Sequence, residues 1–181
     1  MKKLHTLILA PVAMAVLLST AGWAAEQPAL SDRAYRAVNK AQALITEKKY
    51  GEANAKLQDA LSGAGDRVYD KGVILQTLGF VAAQQEKYGQ ATKYFADAIA
   101  TGGLPPPVAQ QVRYNLAQLY MAEGNFKGSI NTMKEWFANL GKDEKPTPHA
   151  YITLANAHVQ LKQYREAIPA VDQAIRLSAG K

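Results

Sequence analysis

"KKYGEA" (residues 48–53), "EKYGQA" (86–91), "GNFKGS" (124–129) and "KQYREA" (162–167) are one phrase written four times. Its aromatic residue falls at Tyr50, Tyr88, Phe126 and Tyr164, each 38 residues after the last. A self-similar period of this size is the signature of a solenoid, in which one supersecondary unit stacks on copies of itself.

The residues around the phrase say what the unit is. Before it lie Ala37, Ala41 and Leu44; then Leu75, Leu78, Gly79 and Ala82; then Leu116, Ala117 and Tyr120; then Tyr151, Leu154, Ala155 and His158. Spacings of three and four put each set on one helical face. After the phrase come Ala53, Leu57 and Ala60; Ala91, Phe95 and Ala98; Ile130, Met133 and Phe137; Ala167, Val171 and Ala174, a second helical face. The unit is helix, tight turn, helix. One such pair cannot bury both faces alone, so neighbours stack and share a core. Alanine or glycine at fixed points lets the paired helices approach closely.

This pattern resembles the tetratricopeptide repeat (TPR), whose consensus runs Trp-x2-Leu-Gly-x2-Tyr and then Ala-x3-Phe-x2-Ala. The second unit carries it best, in Leu78-Gly79, Ala91, Phe95 and Ala98. The resemblance covers Ala34 to Leu177 and implies an all-α fold, an α-α superhelix of four helix-turn-helix repeats at about 34–62, 72–100, 110–138 and 148–178. The family's repeat is about 34 residues long, so each unit here carries four extra. They are expected between repeats, in "SGAGDRVYDK", "TGGLPPPVAQ" and "GKDEKPTP".

The third copy departs most from the pattern. Ser129 stands where the others have alanine, Gly128 interrupts the second helix, and Trp136 takes the other alanine position. Trp136 reads either as a ligand anchor or as a shifted core contact. Ser31 and Thr147-Pro148 read as helix starts, and Pro169 as a mild kink early in the last helix. The run "GGLPPPV" (102–108) ends one helix with glycines and opens the next with prolines. The register passes through it unbroken, so it is a joint between repeats and not a domain linker.

A closer resemblance lies in the wording. "LSDRAYRAVNKAQALI", "GGLPPPVAQQVRYNLAQLYMAEG" and "KQYREAIPAVDQAI" are similar to periplasmic TPR proteins associated with TonB-type energy transduction. That resemblance implies a periplasmic setting and envelope protein partners, including TonB-type motor components. The given sequence ends with the helix that "KQYREA" opens, so contacts made by a longer tail in such relatives are not carried over.

The start of the chain agrees with export. Lys2 and Lys3, the mostly apolar run Leu4–Leu18 and the small residues around Ala24 have the layout of a secretory signal peptide, residues 1–24. Residues 25–181 then form a single domain of 157 residues (181 less 24), with no membrane insertion after cleavage. Removing two lysines takes the formal charge from +6 to +4 (19 basic against 15 acidic), too small an excess to argue for nucleic acid. There is no cysteine, hence no disulfide and no thiol nucleophile.

Catalytic patterns are absent. His149 and His158 are nine residues apart on one helix and point to opposite faces, so they cannot share a metal. His158 takes a core position. Asp143 and Glu144 belong to a charged, solvated loop, and Gly102-Gly103 lacks the Lys-Ser/Thr of a phosphate loop. The expectation is a non-enzyme with no metal and no cofactor.

What remains is surface. In the resembled fold the first helix of each pair lines the concave side. Asn39 and Gln42, Gln76 and Phe80, Tyr114, Asn115 and Gln118, and Asn156 fall there, with Tyr35, Val38, Gln111 and others beside them. None is charged. Amides pair with both donors and acceptors of an extended peptide, and aromatics offer apolar anchors. These residues form a groove for a neutral or apolar protein segment, or else pack between repeats; the sequence leaves both open. Ile168, Val171 and Ile175 on the last helix have no following helix to cover them, which suits a homo-oligomer through that helix. The competing functions are thus a binding scaffold, a self-associating structural envelope protein, and a general envelope assembly adaptor or chaperone.

Overall fold

The computed structural model describes residues 28–142 and 144–179. The expected signal peptide and Asp143 lie outside the described residues. Among these are eight helices and no strand: α1 (Asp32–Thr46), α2 (Tyr50–Ser62), α3 (Val68–Gln84), α4 (Tyr88–Ala100), α5 (Pro106–Ala122), α6 (Phe126–Ala138), α7 (Pro148–Gln160) and α8 (Tyr164–Ala179). They pair as four antiparallel hairpins, and each hairpin packs on the next.

The repeated phrase is the start of every second helix: Tyr50, Tyr88, Phe126 and Tyr164 are the first residues of α2, α4, α6 and α8. Three residues precede each, and they close the first helix in the same way every time. Lys48 donates to Ile45 O and Lys49 to Leu44 O; Glu86 and Lys87, Gly124 and Asn125, and Lys162 and Gln163 repeat this pair of bonds. Those bonds satisfy carbonyls that the helix end would leave open, and they require one left-handed residue. That residue is Lys48 (φ 59°), Glu86 (57°), Gly124 (75°) and Lys162 (58°). Only one copy uses glycine, so three of the four turns carry a strained side-chain-bearing residue.

The four surplus residues are not placed as the sequence suggested. α3 and α5 have 17 residues against 13 in α7, so in repeats 2 and 3 the surplus extends the first helix backwards by a turn, to Val68 and Pro106. Nothing in "RVYDK" breaks a helix, and Pro105, Pro106 and Pro107 occupy the N-cap and first two helical positions, where proline is tolerated. Before α7, Pro146 and Pro148 forbid that extension. Thr147 is extended (ψ 154°), and its side chain caps Ala150 N–H at 3.2 Å.

"GGLPPPV" is a packed joint. Gly102 has φ 63° just past the end of α4. Gly103 lies so close to the backbone of Val68 that a Cβ would strike the Val68 carbonyl. Leu104 is buried beside Gly72, and Thr101 Oγ1 accepts the Gly103 N–H at 3.1 Å. The joint is therefore fastened to the start of α3.

One apolar core runs from Ala34 to Leu119 through the first two and a half repeats. Gly79 admits Phe95, whose ring would lie 2.5 Å from an added Cβ, and Phe80 meets the same ring edge-on at 5.2 Å. Polar bonds also cross the joints: Gln58 Nε2 donates to Tyr94 Oη at 2.6 Å, and Thr92 Oγ1 to Glu123 Oε1 at 3.1 Å. Smaller clusters around Met133 and around Ala155, Ala167 and Ala170 continue the core.

One reading of repeat 3 changes. Gly128 lies in the first turn of α6 and not in its interior; its N–H donates to the capping Asn125 Oδ1 at 3.0 Å, and a Cβ there would crowd the Asn125 side chain at 2.8 Å. Glycine leaves room for the cap. Ser129 is fully buried at the alanine position, and its Oγ has no hydrogen-bond partner.

Candidate functional site

At the junction of repeats 3 and 4 a cleft of about 370 Å³ opens between α5, α6 and the connection to α7. It exists because Pro146 and Pro148 hold that connection away from helix, leaving residues 139–147 to bridge the two repeats. Gln110, Gln111 and Tyr114 on α5 form one wall and Trp136 and Leu140 another, with Glu144 and Lys145 at the rim.

The aromatic wall is held by its own stacking. Trp136 lies 5.5 Å from Tyr114 and 5.1 Å from Phe137, and Phe137 stacks on Tyr151 of α7 at 4.7 Å. His149 meets the Tyr114 ring at 6.4 Å. These rings are polarised, so tilted and edge contacts attract beyond the area they bury. Trp136 is thus a packing residue, as one of its two readings had it, and it also walls the cleft.

Polar groups are fixed around it. Gln110 Nε2 donates to Trp136 O at 2.9 Å, while Gln110 Oε1 accepts from Arg113 at 3.0 Å. Gln111 Nε2 donates to Asn115 Oδ1 at 3.1 Å. The Tyr114 hydroxyl is buried and has no partner. A phenolic hydroxyl in that position is a donor waiting for an acceptor.

The expected groove residues are not gathered into one site. Asn39 and Gln42 are exposed on α1, and Gln118 is half-buried on α5. Gln76 and Asn115 are buried, at 8% and 6% exposure, and Phe80 is half-buried against Phe95. Val38, placed with them, is 1% exposed and belongs to the core. Asn156 lines a second, apolar cleft between α7 and α8. The structure brings Gln111 and Tyr114 to the cleft, with Asn115 buried and bonded to Gln111, and adds Pro107, Gln110 and Thr147, which a count along one helix face does not pick out. Their signal was the proline-rich joints, which shape the cleft from outside the helices.

Among the described residues no group of three histidine, cysteine or acidic side chains could hold a metal, and no helix is long and apolar enough to cross a membrane. His158 is buried, with Nδ1 2.9 Å from Gln163 Oε1, and His149 is exposed on the other side of α7.

A family model of the tetratricopeptide repeat matches residues 148–180, the α7–α8 hairpin. Three solved structures superpose on most of the chain. MamA from Desulfovibrio magneticus RS-1 does so with a TM-score of 0.67 at 18% identity, covering 84% of this chain and 80% of its own. BtubC from P. vanneervenii gives 0.67 at 18%, covering 81% of this chain and 63% of that one. A tetratricopeptide repeat protein from Parabacteroides merdae gives 0.68 at 15%, over 83% and 56%. The fold is a TPR solenoid. The chain spans less than two thirds of the BtubC and P. merdae chains. No curated protein matches its sequence. At these identities the likeness is one of fold.

Proposed function

We propose that this TPR chain is a non-catalytic protein-interaction scaffold. Its ligand is a neutral or apolar protein segment that seats a side chain in the Tyr114–Trp136 cleft. The observation that carries this reading is the open cleft walled by the stacked rings of Tyr114 and Trp136. The amides of Gln110 and Gln111 fix the cleft's shape, and its one lysine, Lys145, is at the rim beside Glu144.

The setting follows from the sequence resemblance. The basic, apolar and small-residue start of the chain supports export to the periplasm, and the phrases shared with TonB-associated TPR proteins support envelope partners, including motor components. The scaffold would then help assemble or regulate a TonB-type outer-membrane transport complex.

A photo-crosslinker at the exposed rim residue Gln111 tests both levels. The crosslinked partner should be an envelope protein. Capture should fall with Tyr114→Ala and be lost with Trp136→Ala, with helicity retained. Unchanged capture in both variants would remove the cleft as the binding site, and a partner outside the envelope would remove the TonB setting.

A further inference from the structure

The outer face of α8 is uncovered among the described residues. Val171 is 42% exposed, while its counterparts one, two and three periods earlier, Met133, Phe95 and Leu57, are 0% exposed. Ile168 is 58% exposed, against 6% for Ile130 and 8% for Thr92. The upstream residues sit on helices that pack against the first helix of the next repeat; α8 has no such neighbour among the described residues. Tyr164 and Ile175, each 60% exposed, extend the row. Tyr164, Ile168, Val171 and Ile175 are spaced by four, three and four, the spacing with which two helices interlock. Ile152 and Val159 of α7 flank them, and an apolar cleft of about 520 Å³ lies between α7 and α8.

The outer face of α1 is different. Ile74, Val112 and Ala150, all 0% exposed, share a register position that in α1 is Arg36. Leu78 and Leu116 share one that in α1 is Lys40. Both cations are exposed. Stacking the C-terminal face of one copy on the N-terminal face of another would bury them against apolar surface without partners. Open head-to-tail growth is therefore disfavoured, and the apolar row on α8 suits an occupant with its own apolar face.

We propose that a second copy of this chain closes it, tail to tail, as a two-fold dimer in which two α7–α8 hairpins form a four-helix bundle. Charge selects this occupant. Arg165 and Asp172 flank the row on one side, two turns apart, both exposed and neither in an ion pair among the described residues. When two α8 helices cross antiparallel, Ile168 meets the second copy's Val171, and Arg165 faces the second copy's Asp172. Symmetry makes that pair twice. α8 has 16 residues and is about 24 Å long. The proposal does not depend on the Tyr114 cleft.

Sedimentation equilibrium of the full-length gene product, purified as the producing cell leaves it, tests the proposal over about 1 µM to 1 mM. The expected species is a dimer that does not grow further. Arg165→Asp and Asp172→Arg each place like charges across the two-fold and should raise the dissociation constant about tenfold or more. An equimolar mixture of the two variants should restore the dimer, because each then faces its opposite charge; that rescue also shows both variants are folded. A monomer throughout, oligomers that keep growing with concentration, or a dimer indifferent to both variants would each overturn the proposal.

Discussion

The carboxylate of Asp70, 1% exposed, accepts the backbone N–H of Ser31 at 3.1 Å across 39 residues of chain. Arg67 completes the cluster: its Nε donates to Asp70 at 2.8 Å and its Nη2 to Ala29 O at 3.0 Å. Ser31 is the N-cap of α1, so the first helix of the solenoid is fastened to the second repeat at its very start. Without the backward extension of α3, Asp70 would lie in a loop.

That cluster gives stability a pH dependence. Burial by itself pushes the Asp70 carboxyl up, but the hydrogen bonds from Ser31 and Arg67 and the charge of Arg67 outweigh it and hold the carboxyl below its usual value. A group lowered on folding stabilises the fold above its unfolded pKa, about 3.9, and that stabilisation is lost as pH falls through the lower folded value. Asp70→Asn should therefore cost about 1–3 kcal/mol at neutral pH and much less at pH values where the wild-type carboxylate is protonated. Urea melts at neutral and strongly acidic pH will show this; an equal loss at both would contradict it.

Ser129→Ala should stabilise the protein by about 1 kcal/mol. It removes a buried hydroxyl without a partner, whose desolvation is uncompensated, and restores the residue found at Ala53, Ala91 and Ala167. Thermal melts of the two proteins will decide the sign.

Two glycines in helices should respond in opposite directions. At Gly79 an added Cβ would meet the Phe95 ring, and Gly79→Ala should cost about 1–3 kcal/mol through overpacking. At Gly51 nothing lies within 4 Å, and Gly51→Ala should stabilise by roughly 0.5–1 kcal/mol through backbone entropy. Chemical denaturation of both variants tests the pair.

Register-equivalent residues should differ in cost. Met133→Ala opens a cavity in a fully buried site and should lose about 2–5 kcal/mol. Val171→Ala should change the stability of the isolated solenoid by well under half of that, since its side chain is 42% exposed. Its effect should appear in the concentration dependence of the melt instead.

The architecture was legible in the sequence because its causes are local and repeated. A helical face needs only apolar residues three and four apart, and a stacked array needs only that the pattern recur. Tyr50, Tyr88, Phe126 and Tyr164 thus marked every second helix at its first residue. The site was legible only in part. Tyr114 and Gln111 face a cleft as a helix count suggests, but Asn115 and Gln76 are buried by neighbouring elements. A helical wheel shows which face a residue is on, and not what stands opposite it.

The sequence alone determined the number of units, their period and the punctuation of Gly102 and Pro105–Pro107, because dihedral preferences and spacing act within a few residues. The tertiary structure decided that Asp70 is a buried tie, that the surplus turn belongs to α3 and α5, that Tyr114 keeps an unanswered hydroxyl, and that Val171 is bare where Met133 is covered. Each of these depends on which helix comes to rest beside the residue, and burial and hydrogen-bond partners are properties of that neighbour as much as of the residue itself.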